Sequence, residues 1–302
     1  MSIGAMIPNG GAVASRLQPV DVARIAEQAG AEGLWPSDHL LMVDKPIDYY
    51  PYSDDGHLTW DVTDDYLETL LCCAAMAAAT TTAVIGPAVM ILPQRNVLQV
   101  AKEAATIDRI SNGRFILGVG SGWNIPEMEA FGYPFKGRTK RFEEQLAVLA
   151  DAWSGRPQAF EGEQIRIDPD LVLHPRPANG KEVPILVGGM AAPALKRAAR
   201  AGGWMAISAA HIWDSEAMNA SMQIYRDSCA ELGTVARPVL KLHSVPDTQH
   251  LVADIVRESI EKLGFIHVIV DPPWGTSTDA GAEMIGSLSE FFSGEPITRF
   301  WA

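Results

Sequence analysis

Along 302 residues, short apolar runs alternate with segments whose apolar residues recur at helical spacing, and the alternation repeats eight times. Residues 3–7 read as a strand, followed by Val22, Ile25, Ala26 and Ala29 at helical intervals before Gly30 ends the stripe. Residues 33–36 form a second strand, and a helix is expected over 65–79, where Asp65 and Glu68 stand at capping-box spacing. A strand over 82–92, a helix over 97–110 and a strand over 114–119 come next, then a helix with Phe142, Leu146, Leu149 and Trp153 on one face. Strands at 183–187, 204–207, 239–243 and 267–270 alternate with helices around Leu195 and over 215–232, 249–263 and 282–292. Eight such pairs predict an α/β fold of the (β/α)8 TIM-barrel type with insertions, although a doubly wound open sheet accommodates the same alternation. No linker divides the chain, so one domain over 1–302 is expected, with the Pro- and Gly-rich stretch 155–184 as a long excursion.

Composition narrows the partners. A hydrophobic content of 47% with 20% charged residues is that of a soluble globular protein. A net charge of −13 opposes nucleic acid and anionic membrane surfaces. Apolar runs are broken by Thr, Gly or Pro and are too short to span a bilayer. Met1 leads straight into a strand-like segment, so no signal peptide is expected. Three cysteines, Cys72, Cys73 and Cys229, lack metal-ligand spacing and read as buried thiols in a reducing, cytoplasmic compartment. The seven histidines show no metal-binding spacing either, so metal chemistry is not expected. Lys136, Arg138, Lys140 and Arg141 form a basic group that reads as a solvated helix face or an anion site.

In a barrel, ligands bind beyond the C-terminal ends of the strands. That rule selects Asn9, Asp38 with His39, Ala88 with Val89, and residues 121–124. It also selects Gly188 with Gly189, Ser208 with His211, His243 and Asp271. The run Gly118-Val119-Gly120-Ser121-Gly122 leaves a strand through closely spaced glycines, which would let a ligand approach the main chain. It is neither a dinucleotide fingerprint nor, with Ser121 off register, a nucleophile elbow. Asp38 and His39 place a carboxylate and an imidazole at one strand end, where histidine exchanges protons near neutral pH. Gly188-Gly189 precedes a helix and offers N–H groups to an anion. The stretch 41–64, with Tyr49, Tyr50, Tyr52 and Trp60 around an Asp55-Gly56 turn, reads as a substrate wall or lid, or as a loop packed on its own aromatics.

Several of these segments together resemble the bacterial-luciferase-like superfamily of flavin- and deazaflavin-dependent oxidoreductases, over nearly the whole chain. They are Ala26-Glu27-Gln28-Ala29-Gly30 with Trp35-Pro36-Ser37-Asp38-His39, residues 101–122, residues 138–153, and Pro184-Ile185-Leu186-Val187-Gly188-Gly189 with Ala198-Ala199-Arg200. The resemblance implies a luciferase-like TIM barrel, usually a homodimer, with a tricyclic ring at the C-terminal mouth. Ser37-Asp38-His39 resembles the branch that uses coenzyme F-420, an 8-hydroxy-5-deazaflavin, whereas the FMN-using branch tends to carry Glu-His-His there. By this resemblance Asp38 contacts the coenzyme and His39 donates or accepts a proton beside the ring. Ala88–Val89 matches the position of a non-prolyl cis peptide behind the ring, and Ser121, Gly122, Trp123, Asn124, Gly188, Gly189 and Met190 line ring and phosphate. Trp123 stands where the family's sugar-phosphate dehydrogenases carry glutamate, which argues against glucose-6-phosphate as substrate. Ala191 and Ala192 replace a hydroxyl residue often found after the Gly-Gly pair. The function so implied is hydride transfer between F-420 and a small organic substrate. The rival readings are an FMN-dependent monooxygenase served by a separate flavin or deazaflavin reductase, and a flavin-binding relative without catalysis.

Overall fold

The structure is a computed structural model and describes residues 1–44, 60–178, 180 and 182–292. Residues 45–59 of the expected lid, with its tyrosines and Asp55-Gly56 turn, lie outside the described residues. In chain order the elements begin with β1 (Ser2–Met6), α1 (Gly11–Ala14), α2 (Pro19–Gln28), β2 (Gly33–Trp35) and α3 (Thr69–Ala79). β3 (Val84–Ile85), β4 (Met90–Ile91), α4 (Val97–Ile110), β5 (Leu117–Gly120), α5 (Ile125–Ala130) and α6 (Arg138–Ala152) follow. A hairpin of β6 (Phe160–Glu161) and β7 (Arg166–Ile167) decorates the long excursion before β8 (Ile185–Gly188) and α7 (Ala192–Ala201). The chain continues with β9 (Trp204–Ala209), α8 (Ser215–Leu232), β10 (Pro238–His243), α9 (Val252–Glu258), β11 (His267–Val270) and α10 (Thr278–Phe292).

Nine strands pair in parallel in the order β3-β2-β1-β11-β10-β9-β8-β5-β4. The two ends of that order are pieces of one strand, and Ile85 bridges Phe115 in parallel, so the sheet curls back onto itself. Counting β3 and β4 together gives eight parallel strands whose order around the ring follows the chain, which is the (β/α)8 barrel and not the reversing order of an open doubly wound sheet. Strands covered on both faces read as continuous apolar runs, and β1, β2, β5 and β11 are buried at every position. A large core lies between sheet and helices, while Met6, Trp35, Val84, Ala88, Ile116, Leu186, Met205, Val239 and Ile269 fill the barrel's inside.

The base of the barrel is plugged by a polar pair. Trp35 Nε1 donates to His267 Nε2 at 3.1 Å, so the other ring nitrogen carries the proton and donates to Ser2 Oγ at 2.7 Å. A Cβ on Gly4 would stand 2.4 Å from His267 Nε2, so a glycine there leaves room for the ring. Burial pushes His267 down to about 3 and keeps it neutral.

Three local departures from the sequence reading have physical causes. The expected strand over 82–92 is broken between β3 and β4, where Ala88–Val89 is a cis peptide. α3 starts at Thr69 and not at Asp65, because residues 65–67 are occupied elsewhere: Asp65 accepts from Gly11 N, and Leu67 N donates to the Asn9 carbonyl. Glu68 itself caps the helix, accepting from Leu71 N. The basic group at the start of α6 is not a uniform solvated face, since Arg141 is buried and donates to the carbonyls of Pro93 and Pro134. All three cysteines are free and buried, and burial raises Cys72 to about 11. Among the described residues no helix is long and apolar enough to cross a membrane.

Candidate functional site

A cavity of about 640 Å³ opens at the C-terminal ends of the strands, a size that suits a small-molecule ligand. Its wall includes Asp38, His39, Ala88, Val89, Ser121, Gly122, Trp123, Gly188 and Gly189 from the sequence-derived set. Asn124 and Met190 are not on this wall: Asn124 is buried at the start of α5, and Met190 packs against the outer core.

The glycines that leave β5 serve packing first. A Cβ on Gly118 would stand 2.1 Å from the Pro87 carbonyl oxygen, and one on Gly120 would stand 2.8 Å from Val89 Cγ2. The bulge between β3 and β4 thus presses into β5, and only glycine leaves space for it. Gly120 and Gly122 still border the cavity, so the same residues that admit the bulge leave backbone open on that side.

His39 is held from several directions. Its Nδ1 lies 2.7 Å from Glu127 Oε2, and a carboxylate only accepts, so Nδ1 carries the proton and Nε2 is the nitrogen left to face a ligand. The Tyr66 and Trp123 rings meet the imidazole edge-on at 5.5 and 5.6 Å. Glu127 is fully buried and also accepts from Leu40 N at 2.7 Å and from Gln94 Nε2 at 2.8 Å. Three donors converge on one carboxylate, which compensates its burial.

Asp38 faces a different task from its neighbour. Its side chain has no exposed surface: Oδ2 accepts from Ile91 N at 2.8 Å and Oδ1 from Arg95 Nη2 at 2.7 Å. Arg95 also reaches Glu68 Oε1 at 2.8 Å. Burial raises the Asp38 carboxyl against the pull of Arg95. The carboxylate therefore ties the loop after β2 to β4 and to the segment that follows it, and the Asp38 backbone is what remains for a ligand. Asn9 plays a similar part, donating to the Ser37 and Leu67 carbonyls and accepting from Ser37 N.

Across the barrel, Lys241 of β10 donates from Nζ to the Ala88 carbonyl at 2.5 Å. Burial pushes this lysine down to about 8. His243 and Asp271, at the ends of β10 and β11, stand 3.5 Å apart on the same wall, and burial with the nearby Lys241 charge lowers the His243 imidazole. Gly189 accepts from Trp204 Nε1 at 2.8 Å, which fixes the turn into α7.

Sequence reasoning missed Glu127 and Lys241. Glu127 lies on α5, a six-residue helix without a long apolar stripe. Lys241 had a legible signal, a lysine inside the otherwise apolar run Val239-Leu240-Lys241-Leu242.

The family model described as luciferase-like monooxygenase matches residues 1–272. An uncharacterized protein of Mycobacterium tuberculosis is 34% identical over 186 residues, 62% of this chain and 64% of that protein. The chain thus spans somewhat under two thirds of that relative's length. An F-420-dependent glucose-6-phosphate dehydrogenase of Amycolatopsis mediterranei is 31% identical over 175 residues, covering 56% of this chain and 47% of the relative. The oxygenating constituent of 3,6-diketocamphane monooxygenase from Pseudomonas putida, solved with FMN, superposes with a TM-score of 0.71 at 16% identity over 95% of this chain and 98% of that one. Deazaflavin- and FMN-using proteins therefore both stand among its neighbours. The match over residues 1–272, on a barrel with its cavity at the strand ends, establishes that the chain belongs to the luciferase-like monooxygenase family.

Proposed function

We propose that this protein is a coenzyme F-420-dependent oxidoreductase that moves a hydride between the deazaflavin and a small organic substrate with an activated C=C, C=N or C=O bond. The observation that carries the reading is the His39–Glu127 pair, an imidazole oriented by a buried carboxylate on the wall of a large cavity. Ser37-Asp38-His39 at this position and the likeness to an F-420-dependent dehydrogenase favour the deazaflavin over FMN.

The residues present fit a flat ring. One side of the cavity is glycine backbone at Gly120, Gly122, Gly188 and Gly189, and another carries Trp60, Tyr66 and Trp123 around His39. The Ala88–Val89 bulge, Ser121 to Trp123 and the Gly188-Gly189 turn would hold the coenzyme, which when bound supplies the hydride chemistry. This chain's own contributions are orientation, exclusion of water and a proton at His39 Nε2, with Glu127 holding the imidazole and balancing its positive form. A homodimer is the assembly we expect.

The test is a parallel titration of the purified protein with F-420 and FMN, followed by turnover assays of His39→Ala. We expect preference for the deazaflavin and a fall in turnover of about 100-fold with little change in coenzyme affinity. Unchanged turnover would remove His39 from the reaction. Preference for FMN, with oxygen uptake coupled to product, would replace this reading by a monooxygenase supplied by a separate reductase.

A further inference from the structure

The proposed proton transfer leaves Lys241 without a role, yet its placement is costly. The residue is 6% exposed, inside a parallel strand whose neighbours Val239, Leu240 and Leu242 are all buried. Removing an ammonium from water is unfavourable unless something answers its charge. Here Nζ donates to the Ala88 carbonyl, and among the described residues no carboxylate lies within ion-pair distance of it. Asp271 acts on it from farther away while contacting His243 at 3.5 Å. With burial pushing it only to about 8, Lys241 stays charged at neutral pH.

Two further observations give that charge a direction. Among the described residues that line the cavity, Lys241 is the only lysine or arginine. It also holds the Ala88 carbonyl from the opposite side of the eight-strand ring, so its ammonium lies at the bulge and not at the rim. A ligand filling the cavity therefore meets one fixed positive charge at depth, with Asp271 on the same wall, in surroundings where a charge is poorly screened.

A hydride carries two electrons and one proton, so its arrival adds one negative charge to a ring system. We propose that Lys241 supplies the positive charge that makes this cavity favour the reduced, more anionic state of its ring coenzyme over the oxidised state. The inference rests on the deazaflavin or flavin reading above. Lys241 is thus a positioning and charge-balancing residue: it sets how strongly the bound coenzyme holds its hydride, and it acts from the wall without exchanging atoms with the substrate.

The test compares dissociation constants of oxidised and anaerobically reduced coenzyme, F-420 and FMN each, for wild type, Lys241→Met and Lys241→Gln. Glutamine keeps a donor for the Ala88 carbonyl without the charge, and methionine keeps neither. Both variants should lose about tenfold more affinity for the reduced than for the oxidised form, which for a two-electron couple is a fall of about 30 mV in the bound midpoint potential. Equal losses for both forms in Lys241→Met, with Lys241→Gln near wild type, would overturn the proposal and leave the lysine as a strut for the bulge. Should neither variant fold, the difference between bound and free midpoint potentials of wild type is measured from pH 6.5 to 9.5, with Asp271 and His243 as the facing titratable groups. A fall in that difference as the lysine loses its proton near pH 8 supports the proposal, and a flat profile overturns it. Failure of wild type to bind either coenzyme would instead defeat the functional reading itself.

Discussion

Glu127 Oε2 sits 2.7 Å from His39 Nδ1, joining a short helix after β5 to the loop after β2. The carboxylate accepts from three donors at once, counting Leu40 N and Gln94 Nε2. A glutamine cannot do so, because one of its two terminal atoms is itself a donor. In Glu127→Gln the amide NH₂ must face either His39 or the other two donors. We expect turnover to fall about tenfold or more, with coenzyme affinity within about twofold. The distinguishing readout is the His39 tautomer by ¹⁵N NMR, in which the wild-type proton resides on Nδ1. An unaltered tautomer with unaltered turnover would reduce Glu127 to a structural group.

Arg95 links Asp38 to Glu68, and the Asp38 carboxylate it neutralises is entirely buried. Arg95→Leu strands that carboxylate with only the Ile91 N–H for company. The expected loss of stability is about 3 kcal/mol, read from denaturant midpoints. The double variant Arg95→Leu with Asp38→Asn should recover much of it, and a lack of recovery would show that packing and not charge carries the cost.

His267 provides a prediction about acid. Its folded value, about 3, lies below that of an unfolded histidine, so the neutral form is the one folding favours. That contribution is complete above about pH 6.5 and is lost as pH falls through the interval toward about 3. His267→Gln should be less stable than wild type at pH 7 by about 1–2 kcal/mol, since the Trp35 and Ser2 partners are disturbed. Between pH 6.5 and 4.5, however, its melting temperature should fall less than that of wild type. Parallel slopes in differential scanning fluorimetry would mean that other groups carry the acid sensitivity.

Gly118→Ala tests the packing role of the glycine run. The added methyl meets the Pro87 carbonyl oxygen at 2.1 Å, a backbone atom with no rotamer to escape into. We expect a loss of about 1–3 kcal/mol in stability and weaker binding of any ligand that rests on the Ala88–Val89 bulge. Equal stability of Gly118→Ala and wild type would show that the bulge can withdraw from β5.

Much of this molecule was legible along the chain because hydrophobic periodicity reports which face of each element is buried. The alternation from Ser2 to Phe292 determined the α/β class and the eight strand–helix pairs, the strand order around the closed ring decided for the barrel over an open sheet, and the strand-end rule pointed to His39, Ala88, Val89, Gly122 and Gly188, which line the cavity. Tertiary structure alone decided what those residues touch. His39 is oriented by a carboxylate 88 positions away, and Ala88 is held by a lysine 153 positions away. The glycines of β5 yield to a neighbouring strand as well as bordering the ligand space, and Asp38 points its carboxylate into an arginine. Local spacing cannot encode these outcomes, because each depends on where the barrel's closure brings a second segment, and a strand's pattern specifies its own two faces but not the partner that arrives at its end.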